Sequence, residues 1–179
     1  MDDYIPISAL NDFLFCPHSL YYHALYSNFN EMIYHQKPQV EGRLRHATVD
    51  KGTYSTRKDC LQAISVCSEK YRIVGKIDTF LVDSGVLVER KTRVNRIYDG
   101  YRYQLYAQMF SLREMGYVVK KLYIHSLVDN KRYQIDMPNG EELVKFEELI
   151  GRIRCFDITN AVCTCSDTKR HQNIYQELY

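Results

Sequence analysis

GKIDTFLVDSGVLVERK, residues 75–91, holds two apolar runs divided by a turn signal at Asp83, Ser84 and Gly85. The runs are rich in β-branched residues and read as two strands of a hairpin. Their ends carry charge: Asp78 interrupts the first run, and Glu89 and Lys91 close the second. Side chains alternate along a strand, so Glu89 and Lys91 share a face. A two-residue loop at 83–84 or 84–85 sets Asp78 opposite one or the other. A three-residue loop with a bulge at Gly85 keeps that facing. Each arrangement gathers two acids and a lysine at one end of a sheet.

Working outward, residues 62–68 and 71–82 are predicted strands, as is 86–91. Residues 98–115 form an amphipathic helix that stops at Gly116, a good C-terminal cap. A strand follows over 119–129, Asn130 marks a turn, and 131–136 pairs back as an edge strand. A charged helix is predicted over 141–155, and 156–179 reads as a polar, irregular tail. Toward the N-terminus, 7–28 has helical spacing with Ser8 as N-cap, divided at Pro17, which opens a second helix at its first turn. Residues 39–52 read as a shorter helix. Three antiparallel strands, a crossover helix and a further strand predict an α/β sandwich with a mixed sheet.

Composition narrows the function classes. An apolar fraction of 45% over 179 residues supports a packed core and excludes a disordered or collagen-like chain. A net charge of +2 makes no global demand for nucleic acid, leaving a local basic groove open. No apolar run is long enough for a membrane-spanning helix. The start, MDDYIPIS, has no apolar signal core, so a cytoplasmic protein with its six cysteines as thiols or ligands is expected.

Paired acids at a strand end repel, and a divalent cation removes the conflict. Oxygen ligands with one or two carboxylates suit Mg2+ or Mn2+. Such an ion acidifies a water into a nucleophile, and a lysine two residues on orients it or stabilises charge on a phosphate. That chemistry is phosphodiester hydrolysis. On periodicity alone, solvated rim charges fit equally well, and three further features weigh on the choice. His46, in EGRLRH (41–46), is a candidate nitrogen ligand, against a surface or core role. Gln104 and Gln108 lie one turn apart and orient the lysine or hold a DNA phosphate, against a solvated pair. RKTRVNRIYDGYRY (90–103) interleaves five basic residues with three tyrosines, which suits a DNA single strand. It makes Arg93, Arg96, Tyr98 and Arg102 DNA-binding candidates, against a charged loop.

Together FCPHSLYYH (15–23), EGRLRH (41–46), GKID (75–78), ERK (89–91) and YQLYAQMFSLREMGY (103–117) carry a resemblance. The chain resembles the CRISPR-associated exonucleases of the fourth Cas family, RecB-like members of the PD-(D/E)XK nuclease superfamily, most nearly the form beside type V systems. The resemblance implies one nuclease domain over 1–179, with a mixed central sheet flanked by helices. It divides into a helical N-terminal part (1–52), a restriction-endonuclease-like core (62–137), and a C-terminal helix with a degenerate cluster-binding tail (141–179). It implies His46, Asp78, Glu89 and the Arg90 carbonyl as ligands of Mn2+ or Mg2+, Lys91 as the catalytic lysine and Gln104 as the motif glutamine. The implied activity is exonucleolytic cutting of single-stranded DNA ends in CRISPR adaptation, beside the integrase complex. A weak or inactive DNA-binding accessory subunit and a repair or phage nuclease are the alternatives.

The resemblance also implies a 4Fe–4S cluster on four cysteines, of which the first maps to Cys16. At the other three positions this chain has Arg170, Asn173 and Tyr179, none of them a thiolate. Either the cluster is lost, which is the favoured reading, or Cys163 and Cys165 rebuild it with Cys16 and Cys155 or His171. A zinc site from the same residues is a variant. Cys60 and Cys67 are expected to be structural.

Overall fold

The computed structural model describes residues 4–26 and 59–157. The helix expected over 39–52, with His46, lies outside them, as do Cys163, Cys165, Arg170, His171, Asn173 and Tyr179. The described elements are β1 (Ile5–Pro6), α1 (Ile7–Phe15), α2 (His18–Tyr26), β2 (Cys60–Gln62), β3 (Ser65–Ser68), β4 (Ile73–Lys76), β5 (Thr79–Leu81), β6 (Val86–Lys91), α3 (Asp99–Glu114), β7 (Lys121–Ser126), β8 (Lys131–Ile135) and α4 (Gly140–Arg154). The architecture is mixed α/β: two mixed sheets flanked by helices. One sheet has the order β2-β5-β6-β7-β8, the other β1-β4-β3.

Residues 62–68 and 71–82 are not two unbroken strands. Each is divided, and together they make one antiparallel ribbon that passes from one sheet to the other. β3 pairs with β4 as Ser65↔Lys76, and β2 with β5 as Gln62↔Thr79, in a common register. Across the bend, Ala63 N donates to Asp78 O at 3.2 Å and Ile77 N to Ile64 O at 3.1 Å. Ala63 takes the left-handed conformation, φ 50°, which turns the strand without shifting its pairing. The side-chain pattern carried no signal for this, because the apolar alternation runs straight through.

The hairpin joining β5 to β6 closes with a four-residue loop, 82–85, rather than the expected two or three, since Leu81 pairs with Val86. Gly85 N bonds Val82 O at 3.2 Å, and Gly85 sits at φ 66°, where glycine alone is unstrained. Its carbonyl accepts from Lys120 N at 2.7 Å and Lys121 N at 3.1 Å. A Cβ there would come within 2.6 Å of Val118 O. The hairpin tip is thereby clamped to the start of β7.

β6 and β7 run parallel, with Glu89 beside Ile124 and Lys91 beside Ser126. A parallel pair needs a long crossover, which α3 supplies. That helix ends in a Schellman motif: Tyr117 N bonds Leu112 O at 3.0 Å and Gly116 N bonds Arg113 O at 3.0 Å, with Gly116 at φ 93°. The Glu114 carboxylate accepts from Glu69 N at 2.7 Å and from the Ser68 hydroxyl, tying the helix end to the β3–β4 turn. Leu105, Met109 and Leu112 of α3 and Phe80, Leu87, Leu122 and Ile124 of the facing sheet are fully buried in one core. Along the inner face of β6 that core gives way to Glu89 and then Lys91.

The N-terminal helices divide at Pro17 as expected. Ser8, expected as N-cap, lies inside α1; Pro6 occupies the cap position and offers no side-chain cap. α4 begins with a capping box in which Asn139 Oδ1 accepts from Glu142 N at 2.9 Å and Glu142 Oε2 accepts from Asn139 N at 3.1 Å. Cys60, Cys67 and Cys155 are free thiols. Among the described residues, no helix is long and apolar enough to cross a membrane.

α1 crosses α3 at its first turn. A Cβ on Gly100 would lie 2.3 Å from Asn11 Oδ1 and 3.1 Å from its Cα. Gly100→Ala therefore forces the helices apart and is expected to destabilise the fold by about 1–3 kcal/mol in urea unfolding. Adding Asn11→Ala removes the side-chain oxygen but leaves the α1 backbone just as near, and should restore only part of the loss.

Candidate active site

The site assembles at the C-terminal end of β6, where β5 has not yet begun. Continuing the β5–β6 register past Thr79↔Val88 places Asp78 opposite Glu89. Asp78 Oδ2 accepts from Arg90 N at 2.7 Å. This bond also locates a carbonyl. In a strand, the N–H and C=O of one residue point to the same side. Lys91 O faces β7, where it accepts from Leu127 N at 2.9 Å. The Arg90 N–H and C=O therefore both face the other way, toward Asp78 and past the end of β5. Two acidic side chains and one backbone carbonyl share that edge.

Glu89 is 8% exposed, and both its oxygens are engaged. Oε1 pairs with Lys91 Nζ at 2.9 Å, and Oε2 accepts from Gln108 Nε2 at 2.8 Å. Lys91 Nζ also donates to Gln104 Oε1 at 2.7 Å and lies 4.9 Å from the centre of the Tyr101 ring. Burial alone pushes the Lys91 ammonium down. The adjacent Glu89 carboxylate, by charge and hydrogen bond, outweighs burial and raises it above the ordinary lysine value. Lys91 is thus an ammonium at neutral pH, and its bond to Gln104 fixes its position.

Residues 101, 104 and 108 follow the i, i+3, i+7 spacing of one helix face. Tyr101 was missed in the sequence, although this spacing to Gln104 was available to find it. Gln108, a DNA-phosphate candidate, is 2% exposed and directed at Glu89, so it does not meet DNA. Arg93, Arg96, Tyr98 and Arg102 are all exposed. Arg96 stacks on Tyr98 at 4.4 Å, and Tyr98 meets Tyr101 edge-to-face at 5.4 Å. A line of cation and aromatic groups, Arg96–Tyr98–Tyr101–Lys91, leads from the surface to the acids. Val94 anchors this loop: it is buried, and its N–H donates to Ser126 Oγ at 3.1 Å.

No protein-family model matches the chain, and no curated protein sequence matches it. Among solved structures, SSO0001, known from a crystal structure, has a similar fold. The two share 13% sequence identity at a TM-score of 0.63, over 99% of this chain and 86% of that one. At this identity the likeness speaks for the fold.

The donor set fits a hard divalent cation: two carboxylates and a carbonyl are all oxygen, with His46 lying outside the described residues. Of the expected cluster ligands, Cys16 and Cys155 fall within the described residues. Cys16 is buried beside α1's end, where Phe156 packs on Phe13 at 5.6 Å and on His18 at 5.9 Å. Cys155, next to Phe156, is exposed. Among the described residues, no group of three or more His, Cys, Asp or Glu side chains is placed to hold a metal.

The raised Lys91 value has a definite sign in stability. Its contribution is complete below the unfolded lysine pKa of about 10.4 and is lost as pH climbs through the higher folded value. In EDTA, Lys91→Met should cost about 3 kcal/mol at neutral pH, since it strands Glu89. The gap to wild type in urea unfolding should narrow in strongly alkaline buffer, as Lys91 loses its charge.

Proposed function

We propose that this protein is a metal-dependent nuclease of the PD-(D/E)XK type that cuts single-stranded DNA from its ends during CRISPR adaptation, alongside the integrase complex. The observation that carries the reading is the convergence of Asp78, Glu89 and the Arg90 carbonyl beside a charged Lys91. The resemblance adds the substrate and the biological setting, and it adds His46 to the ligands.

Asp78 and Glu89 would hold Mn2+ or Mg2+ together with the Arg90 carbonyl; the histidine favours Mn2+. The bound ion supplies an acidified water and offsets phosphate charge. Lys91 contributes separately. An ammonium has three donors, and Glu89 and Gln104 take two of them. The third is available to a phosphate oxygen as negative charge grows there. Gln104 and the Tyr101 ring fix the ammonium from the helix side, so it need not reorganise during reaction. Tyr98, exposed at 43%, presents a ring for base stacking, and Arg93, Arg96 and Arg102 meet the backbone.

The test is cleavage of an end-labelled DNA single strand with Mn2+. Asp78→Ala should abolish cutting while leaving the circular dichroism spectrum unchanged; normal cutting by that variant would remove the site assignment. Lys91→Ala should lower the rate far more than DNA affinity. Tyr98→Ala should weaken single-strand binding by about 1–3 kcal/mol. Binding without cutting, under either metal, would favour a DNA-binding accessory subunit, a reading to which the lack of thiolates at positions 170, 173 and 179 also points.

A further inference from the structure

Gln108 lies outside the roles assigned so far. It is 2% exposed, in the middle of α3, on the face that meets β6. Its Nε2 donates to Glu89 Oε2 at 2.8 Å and approaches the Lys76 carbonyl at 3.4 Å. Its Oε1 is buried with no hydrogen-bond partner. The two contacts settle the amide's orientation: a flipped amide would set its oxygen against two acceptors. A buried carbonyl left unpaired costs stability, and a leucine or methionine would fill the same space without that cost. The amide is therefore not explained by packing.

We propose that Gln108 is a positioning residue for Glu89, fixing the orientation in which its carboxylate meets the cation. This rests on reading the site as a divalent-cation site. With Oε2 bonded to the helix amide and Oε1 shared with Lys91, the rotation of the Glu89 carboxylate is fixed, and with it the directions of its remaining lone pairs. Asp78 is constrained likewise, its Oδ2 held by the Arg90 N–H. Each acid thus has one oxygen held in a fixed direction. One is fixed by backbone, the other by a side chain four residues beyond Gln104. Outer-shell partners of this kind orient ligands, and their loss typically weakens metal binding about 10–100-fold.

The experiment is a Mn2+ titration of the full chain followed by electron paramagnetic resonance, without DNA. Asp78→Asn first locates the ion: wild type should bind Mn2+ and this variant should not. Gln108→Leu should then weaken binding about 10-fold or more and change the line shape of the bound ion. A loss of folded protein alone would reduce the signal without altering its shape. In a Glu89→Ala background, Gln108→Leu should add nothing, because it acts through Glu89. If Gln108→Leu fails to fold, Gln108→Met carries the same test. Wild-type affinity and line shape in the Gln108 variant would overturn the proposal, as would a full additive effect without Glu89. Mn2+ binding indifferent to Asp78→Asn would overturn the cation site itself, a distinct result.

Discussion

The ribbon that carries Asp78 bends at Ala63 while keeping its register, and the placement of the acids depends on that bend. Were the ribbon straight, β4 and β5 would be one strand, and Asp78 would be an ordinary ladder residue. Because the ribbon turns, β6 outruns β5, and Asp78 stands at the corner with the Arg90 N–H as its partner. The same corner directs the Arg90 carbonyl past the end of β5. The left-handed turn at Ala63 falls where β5 stops, which leaves the Arg90 carbonyl, aimed that way by the alternation of β6, on the edge where the acids meet.

α3 completes what the corner begins. Its apolar positions bury against the sheet, and one further face meets the polar end of β6 through Tyr101, Gln104 and Gln108. The Schellman motif and Glu114 fix its far end, and Gly100 lets α1 close over its near end. The helix is held at both ends, so the three side chains sit at fixed heights over Glu89 and Lys91. Burial of an acid and an ammonium is tolerated because each has a partner; either one alone would be costly.

Much of this was legible in the chain. Alternation placed Glu89 and Lys91 on one face, and the turn signal at Asp83 to Gly85 set Asp78 opposite one or the other; the four-residue loop decides for Glu89. The helix end at Gly116 followed from glycine's freedom at positive φ. The bend was not legible, since Ala63 carries no mark of a left-handed residue and the apolar pattern continues across it. The role of Gln108 was misjudged for a different reason. Polar residues on a helix face suggest solvent or ligand until the facing strand is known to carry a carboxylate. Ser8 failed as a cap because the helix starts earlier, directly after the short strand β1 pairs with β4.

Gly85 has a consequence for anyone engineering this chain. Surface turns are the usual places to splice in a tag or reporter, and the 82–85 loop looks expendable by that rule. Here the loop's last residue is the hinge pin of the α3–β7 connection, bonded through its carbonyl to Lys120 and Lys121. Lengthening the turn would lever β7 away from β6 and open the far end of the sheet.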